Sequence, residues 1–209
     1  MAGASAITIG NFDGVHLGHA ALLRSCREAV GAGGAVVAVT FNPHPSAVLR
    51  PESPRPRLCR PERKKSLLVE AGATRVIELE TTRSLLALDP DEFVRVVLAP
   101  LGPRYVIEGA DFRFGRGRAG SLDDLHRLGR EHGFEVIVQP TVEIGLSDHA
   151  VIRVSSSMVR WLLEAGRVED AARCLGRSYE IEGPVESGDR RGRRICFPTA
   201  NGNHGPLLL

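Results

Sequence analysis

The sequence predicts an α/β protein with a doubly wound, mostly parallel, Rossmann-like sheet, followed by an incomplete β segment. Three observations carry this. Short apolar or β-branched runs alternate with helix-period stretches as far as residue 139. The run at 35–41 is almost wholly apolar, as a strand buried on both faces must be. The stretches richest in reactive side chains follow strand ends, where ligands of open parallel sheets sit.

In chain order, Ile7 to Ile9 is a β-branched strand, and Gly10 and Gly14 bracket a turn. A helix follows from about Val15, with Leu17, Ala20, Ala21, Leu23 and Ala29 as its apolar positions, and ends at Gly31–Gly34. After the strand at 35–41, six of the 13 prolines fall between 43 and 61, which predicts a stiff, irregular connection. Helix 61–71 and strand 75–79 come next. Helix 90–99 carries Pro90 and two acids in its first turn. Strand 104–108, a loop to 119, helix 121–131 and strand 134–138 complete the alternation. Residues 142–154 read as a hairpin-like excursion. A helix starts at Ser155 or Ser156, and a shorter one covers 168–174. From 177 the character changes to a strand at 179–186, a basic turn at 188–194 and Cys196-Phe-Pro-Thr-Ala-Asn201.

The 209 residues are enough for one sizeable core plus part of another unit. Hydrophobic content of 43% and charged content of 25% are those of a soluble globular protein, and a net charge of +2 does not suggest nucleic-acid binding. Four widely spaced cysteines form no disulfide or zinc pattern, which favours a reducing compartment. The N-terminus shows no basic, apolar leader and no membrane span. The expectation is a cytoplasmic protein with small-molecule partners, no nucleic acid and no membrane.

The chemistry concentrates at Gly10-Asn11-Phe12-Asp13-Gly14-Val15-His16-Leu17-Gly18-His19. Strand, glycine turn and helix start leave unpaired N–H groups and a positive dipole end, which suit a phosphate. His16 and His19, three apart, share one face of the first helical turn. A zinc site is the rival for two histidines, but neither a nearby cysteine pair nor a metalloprotease glutamate accompanies them. Asn42 and His44 sit on a backbone stiffened by Pro43 and Pro45. Asp111, Phe112 and Phe114 follow the strand at 104–108. The phenylalanines either wall a planar ring or pack in the core. Gly115 to Gly120 matches a dinucleotide fingerprint but lies too far past its strand. Arg153-Val-Ser-Ser-Ser-Met-Val-Arg160 offers hydroxyls, helix-start N–H groups and two guanidinium groups as a second anion cradle.

On these four motifs residues 7–176 resemble the HxGH nucleotidyltransferases, and specifically the adenylyltransferase domain of bacterial bifunctional riboflavin kinase/FAD synthetases. Ser157 stands where that family has Thr. The resemblance implies transfer of AMP from ATP to FMN, with Mg2+, giving FAD and pyrophosphate. It implies that His16, His19, Arg153, Ser156 and Ser157 carry the reaction. Gly10, Asn11, Phe12, Asp13, Gly14, Asn42, His44, Asp111 and Arg160 would bind nucleotide, and Phe112 and Phe114 flavin. Magnesium would be held by the ATP phosphates in this domain. The Phe-Pro-Thr-Ala-Asn segment is similar to the opening of the riboflavin kinase barrel, where Thr199 and Asn201 would serve a metal, with Cys196 replacing a glycine. The division expected is 1–176 and 177–209. The 33 residues of the second part are too few to close a barrel, so kinase activity is expected to be absent. The rival readings are a related transferase with another phosphorylated acceptor, and a flavin or nucleotide binder without turnover.

Overall fold

The computed structural model describes residues 4–53, 55–186 and 201–202. Five strands, β1 (Ser5–Ile9), β2 (Ala35–Asn42), β3 (Arg75–Glu80), β4 (Tyr105–Gly109) and β5 (Glu135–Gln139), form one sheet in the order β3-β2-β1-β4-β5. Every pairing is parallel.

Strand periodicity assigns the two faces. Ile7, Ile9, Val37, Val39 and Val106 pack against Phe93, Val94, Leu98, Leu125 and Leu128. Those residues come from α5 (Pro90–Phe93), the π turn Val94–Leu98 that continues it, and α6 (Leu122–His132). Ala6, Val36, Ala38 and Ile107 face the other way, onto α1 (Leu17–Val30) and α3 (Pro61–Glu70) through Leu23, Cys26, Leu67 and Leu68. Helices therefore cover both faces, as the sequence predicts. The third cluster packs α7 (Ser156–Glu164) and α8 (Val168–Leu175) against Leu58 and the hairpin β6 (Glu143–Gly145)–β7 (Val151–Arg153).

The structure departs from the sequence reading in details. The first helix starts at Leu17, because Val15 takes a left-handed φ of 40° and cannot be helical. Short helices α2 (Pro45–Leu49) and α4 (Arg83–Ala87) occupy stretches the periodicity left irregular. The helix expected at 90–99 changes pitch, from α to π and then to the 3-10 turn Ala99–Leu101. In the expected strand 179–186 only Val185–Glu186 is paired, antiparallel to Asn201–Gly202. The turn at 188–194, Thr199 and the side chain of Asn201 lie outside the described residues.

Chain order reverses between β1 and β4. The two pair only at Ala6↔Tyr105 and Ile7↔Val106, and then splay. Past that point the Ile9 N–H donates to Glu108 Oε1 at 2.7 Å. The gap is the crevice at the carboxyl ends of the strands, and four of the motifs open onto or border it.

Candidate active site

β1 delivers the first loop to this crevice. Its Gly10 N–H still bonds the Val39 carbonyl of β2, at 3.0 Å. Then Phe12, Gly14 and Val15 all adopt positive φ, and the chain turns sharply into α1. Phe12 and Val15 are buried, so packing holds these unfavourable backbone angles in place. Among the described residues no side chain caps α1. The His19 and Ala20 N–H groups bond the His16 carbonyl at 2.9 and 3.1 Å, which leaves those of Leu17 and Gly18 to face an anion.

The two histidines form one unit. Their rings stack with centroids 3.6 Å apart, and Phe12 meets His19 edge-on at 5.0 Å. Neither Nδ1 atom has a hydrogen-bond partner among the described residues. Burial pulls the His16 pKa down to about 4, with Arg160 and Arg177 adding to it. Burial, His16 and Lys64 push His19 well below the ordinary value. Both rings are therefore neutral near pH 7 and act as hydrogen-bond groups rather than cations. A neutral imidazole with an unsatisfied buried nitrogen is primed to engage a ligand oxygen.

Asp13 is buried, and its carboxylate is fully engaged inside the protein. It accepts from Leu58 N–H at 3.0 Å and forms a short ion pair with Arg160. Arg160 also donates to the Pro56 carbonyl at 2.9 Å and the Ser156 carbonyl at 3.2 Å. Ser156 Oγ donates to the Asp13 carbonyl at 2.8 Å. Asp13, Ser156 and Arg160, expected as separate ligand contacts, thus tie three segments together: the first loop, the proline-rich loop and α7. Ser155 is the cap of α7, accepting from Met158 N–H. Ser157 is exposed at the helix start. Arg153 is exposed too and pairs with Asp111 at 2.6 Å.

On the β2 side, Asn42 donates to Glu78 at 3.1 Å. His44 caps α2, accepting from Ser46 N–H at 3.1 Å, and burial pulls its pKa down to about 4. Asn11, Asp13, Asn42 and His44 line one pocket together with Arg57 and Lys64. Phe112 stacks on Phe114 at 5.6 Å, but Phe114 is buried and also packs on Phe93, so its ring serves the core. Only the Phe112 ring, half-buried, keeps area for a ligand.

Three residues escaped the sequence reading. Lys64 is buried on α3 and donates to Thr40 Oγ1 at 2.9 Å and the Phe41 carbonyl at 3.0 Å, and burial lowers its pKa. Glu108, buried beneath the crevice, has its pKa raised well above the usual range by burial. Arg177 donates to the Gly14 carbonyl at 2.7 Å and the Val15 carbonyl at 3.0 Å. A charged residue at a buried helix position was the one available signal, and it applied to Lys64 alone.

Sheet order, crevice and stacked histidines define an α/β protein with an anion-ready site at its switch point. The family model described as FAD synthetase matches residues 2–157, and that described as riboflavin kinase matches 175–207. The chain belongs to the FAD synthetase family. It is 39% identical over 196 residues to the bifunctional riboflavin kinase/FMN adenylyltransferase of Pseudomonas fluorescens, covering 93% of this chain and 61% of that one. It is 31% identical to the FAD synthetase of Listeria monocytogenes, covering 90% of this chain and 75% of the other. A solved structure described as a macrolide-efflux protein from Streptococcus pneumoniae shares the fold at TM-score 0.82 and 26% identity, over 97% of this chain and 65% of that chain. The chain thus spans about three fifths of the bifunctional relatives' length, 61% for the first of them.

Proposed function

We propose that this chain is an FMN adenylyltransferase: it transfers AMP from ATP to FMN, releasing pyrophosphate and forming FAD. The observation that carries the reading is the stacked, neutral His16–His19 pair with unpartnered nitrogens at the uncapped start of α1. Family membership supplies the acceptor. A phosphate oxygen of FMN attacks the α-phosphorus of ATP in line. The bond from that phosphorus to the bridging oxygen breaks, and pyrophosphate leaves with the electron pair.

The attacking oxygen is already anionic, so no side chain need remove a proton from it. The protein positions the reactants and stabilises charge. His16 and His19 donate to phosphate oxygens from the α1 side. Ser157 and Arg153 face the pyrophosphate from the α7 side, and Asn42, His44 and Asn11 shape the nucleotide pocket. Phe112 borders the flavin. Magnesium would be held by the ATP phosphates and would neutralise their charge; Asp13 is already committed to Arg160 and the Leu58 N–H.

Residues 1–176 are the transferase unit in this reading, 177–209 are a riboflavin-kinase-like β segment, and the protein works in the cytoplasm on small molecules. Among the described residues, no helix is long and apolar enough to cross a membrane.

The test is chromatography of flavins after incubation with ATP and Mg2+, using FMN or riboflavin as acceptor. FAD from FMN alone supports the reading. Binding of FMN without any FAD refutes the transferase.

A further inference from the structure

Arg177 lies in the stretch matched to the second family, 175–207, yet its guanidinium reaches back into the first loop. It holds the carbonyls of Gly14 and Val15, two consecutive residues with φ of 79° and 40°. The Val15 carbonyl and the His16 N–H belong to one rigid peptide plane. Fixing that carbonyl therefore fixes where His16 begins. The half-buried guanidinium also adds to the field that keeps His16 neutral.

The segment after Arg177 meets α3 through ion pairs of half-exposed glutamates. Arg63 of α3 donates to Glu180 at 2.9 Å and lies 3.9 Å from Glu182. The same Arg63 pairs with Glu70 at 2.7 Å. Arg177 thus begins an irregular segment beside α3 and reaches the back of the first loop, where a Cβ at Gly14 would stand 2.8 Å from Leu58 and 3.5 Å from Leu175.

We infer that Arg177 is a positioning residue for the His16–His19 pair, so that the grip on nucleotide phosphates depends on the docking of residues 177–182 beside α3. The inference rests on the proposed use of that pair. It places control of the first activity in the piece of chain that leads toward the second unit.

The experiment compares wild type, Arg177→Ala and Arg177→Lys for pyrophosphate binding by calorimetry, thermal melting and FAD formation. The expected result for Arg177→Ala is a loss of about 100-fold in kcat/KM for ATP. Pyrophosphate affinity falls with it, and the KM for FMN changes less than about twofold. Methylguanidinium at millimolar concentration restores part of the lost activity, which an irreversibly misfolded variant would not allow. Arg177→Lys keeps the charge and can reach one carbonyl, so it falls between the two. If Arg177→Ala does not fold, Arg177→Lys decides. Wild-type pyrophosphate affinity in the folded variants overturns the inference. A wild type that binds pyrophosphate but makes no FAD overturns the proposed function instead, and leaves the binding comparison to judge Arg177.

Discussion

The His16 ring lies directly over Gly18: a Cβ at position 18 would stand 3.1 Å from ring atoms Cε1 and Nδ1. Gly18 lies in the first turn of α1 without a positive φ, so its backbone accepts alanine. Gly18→Ala should raise helix stability by up to about 1 kcal/mol. It should also displace the His16 ring by a few tenths of an ångström from its stack on His19. The expected outcome is a melting temperature at or above wild type with FAD formation down about tenfold or more. Full activity in Gly18→Ala would show that the stacked geometry is not needed.

The Asp13–Arg160 pair predicts the opposite pattern. Both side chains are buried, at 9% and 10% exposure, and both are needed to satisfy one another. Arg160→Ala leaves a buried carboxylate without its cation, which costs about 3–5 kcal/mol. At this chain length that is about 10 °C of melting temperature. The loss should appear in protein without any nucleotide, because Arg160 ties Asp13 to Pro56 and Ser156. A variant that melts like wild type but binds ATP poorly would return Arg160 to a phosphate-clamping role.

Much of the architecture was legible in the sequence, because parallel strands buried on both faces carry a strong signal. Ala35–Asn42 matches its apolar run, and Glu135–Gln139 is displaced by one residue. The motif loops follow from strand and helix order. What pairs with what was not legible. Asp13 and Arg160 are 147 positions apart, and Arg177 lies 163 from Gly14. No local pattern distinguishes a residue that ties segments together from one that touches ligand. Glu108 sat in an ordinary strand pattern, and only the splaying of β1 from β4 makes its carboxyl replace a backbone acceptor. The apolar spacing starts α1 two residues early, because Val15 looks like a helical apolar position. Its left-handed φ is imposed by tertiary packing.

Two buried groups predict opposing pH effects. His16 titrates near 4 in the folded chain and near 6.5 when unfolded. Between those values the unfolded state binds more protons, so stability falls as pH falls from about 6.5 toward 4. From pH 7 to 5 the loss from His16 alone is about 2 kcal/mol. Glu108 has a raised pKa, so its contribution is present at low pH and is lost as pH rises above the unfolded value, near 4.5. Urea midpoints at pH 5 and 7 for wild type, His16→Gln and Glu108→Gln separate the two. His16→Gln should lose less than wild type on going from pH 7 to 5. Glu108→Gln keeps an oxygen for the Ile9 N–H and should gain stability over wild type at pH 7. Parallel pH responses in all three proteins would show that neither group titrates abnormally.

His19 and Arg153 test the chemistry from opposite sides of the crevice. His19 stacks on His16 and meets Phe12 edge-on, but neither contact ties separate segments together. Arg153 is exposed, and its pair with Asp111 is an exposed one, at 48% and 64% exposure. Such a pair contributes about 1 kcal/mol at most, so a phosphate group can displace it. His19→Ala should fold and bind FMN, and lose about 100-fold or more in turnover, the usual cost of one preorganised donor. Arg153→Ala should leave melting unchanged and lower kcat/KM for ATP, with little change in the KM for FMN. The two effects should combine to less than their product if both groups hold the same polyphosphate in one transition state. Turnover like wild type in folded His19→Ala would remove that residue from the mechanism. Full multiplication in the double variant would mean that the α1 and α7 sides contribute independently, without coupling through the polyphosphate.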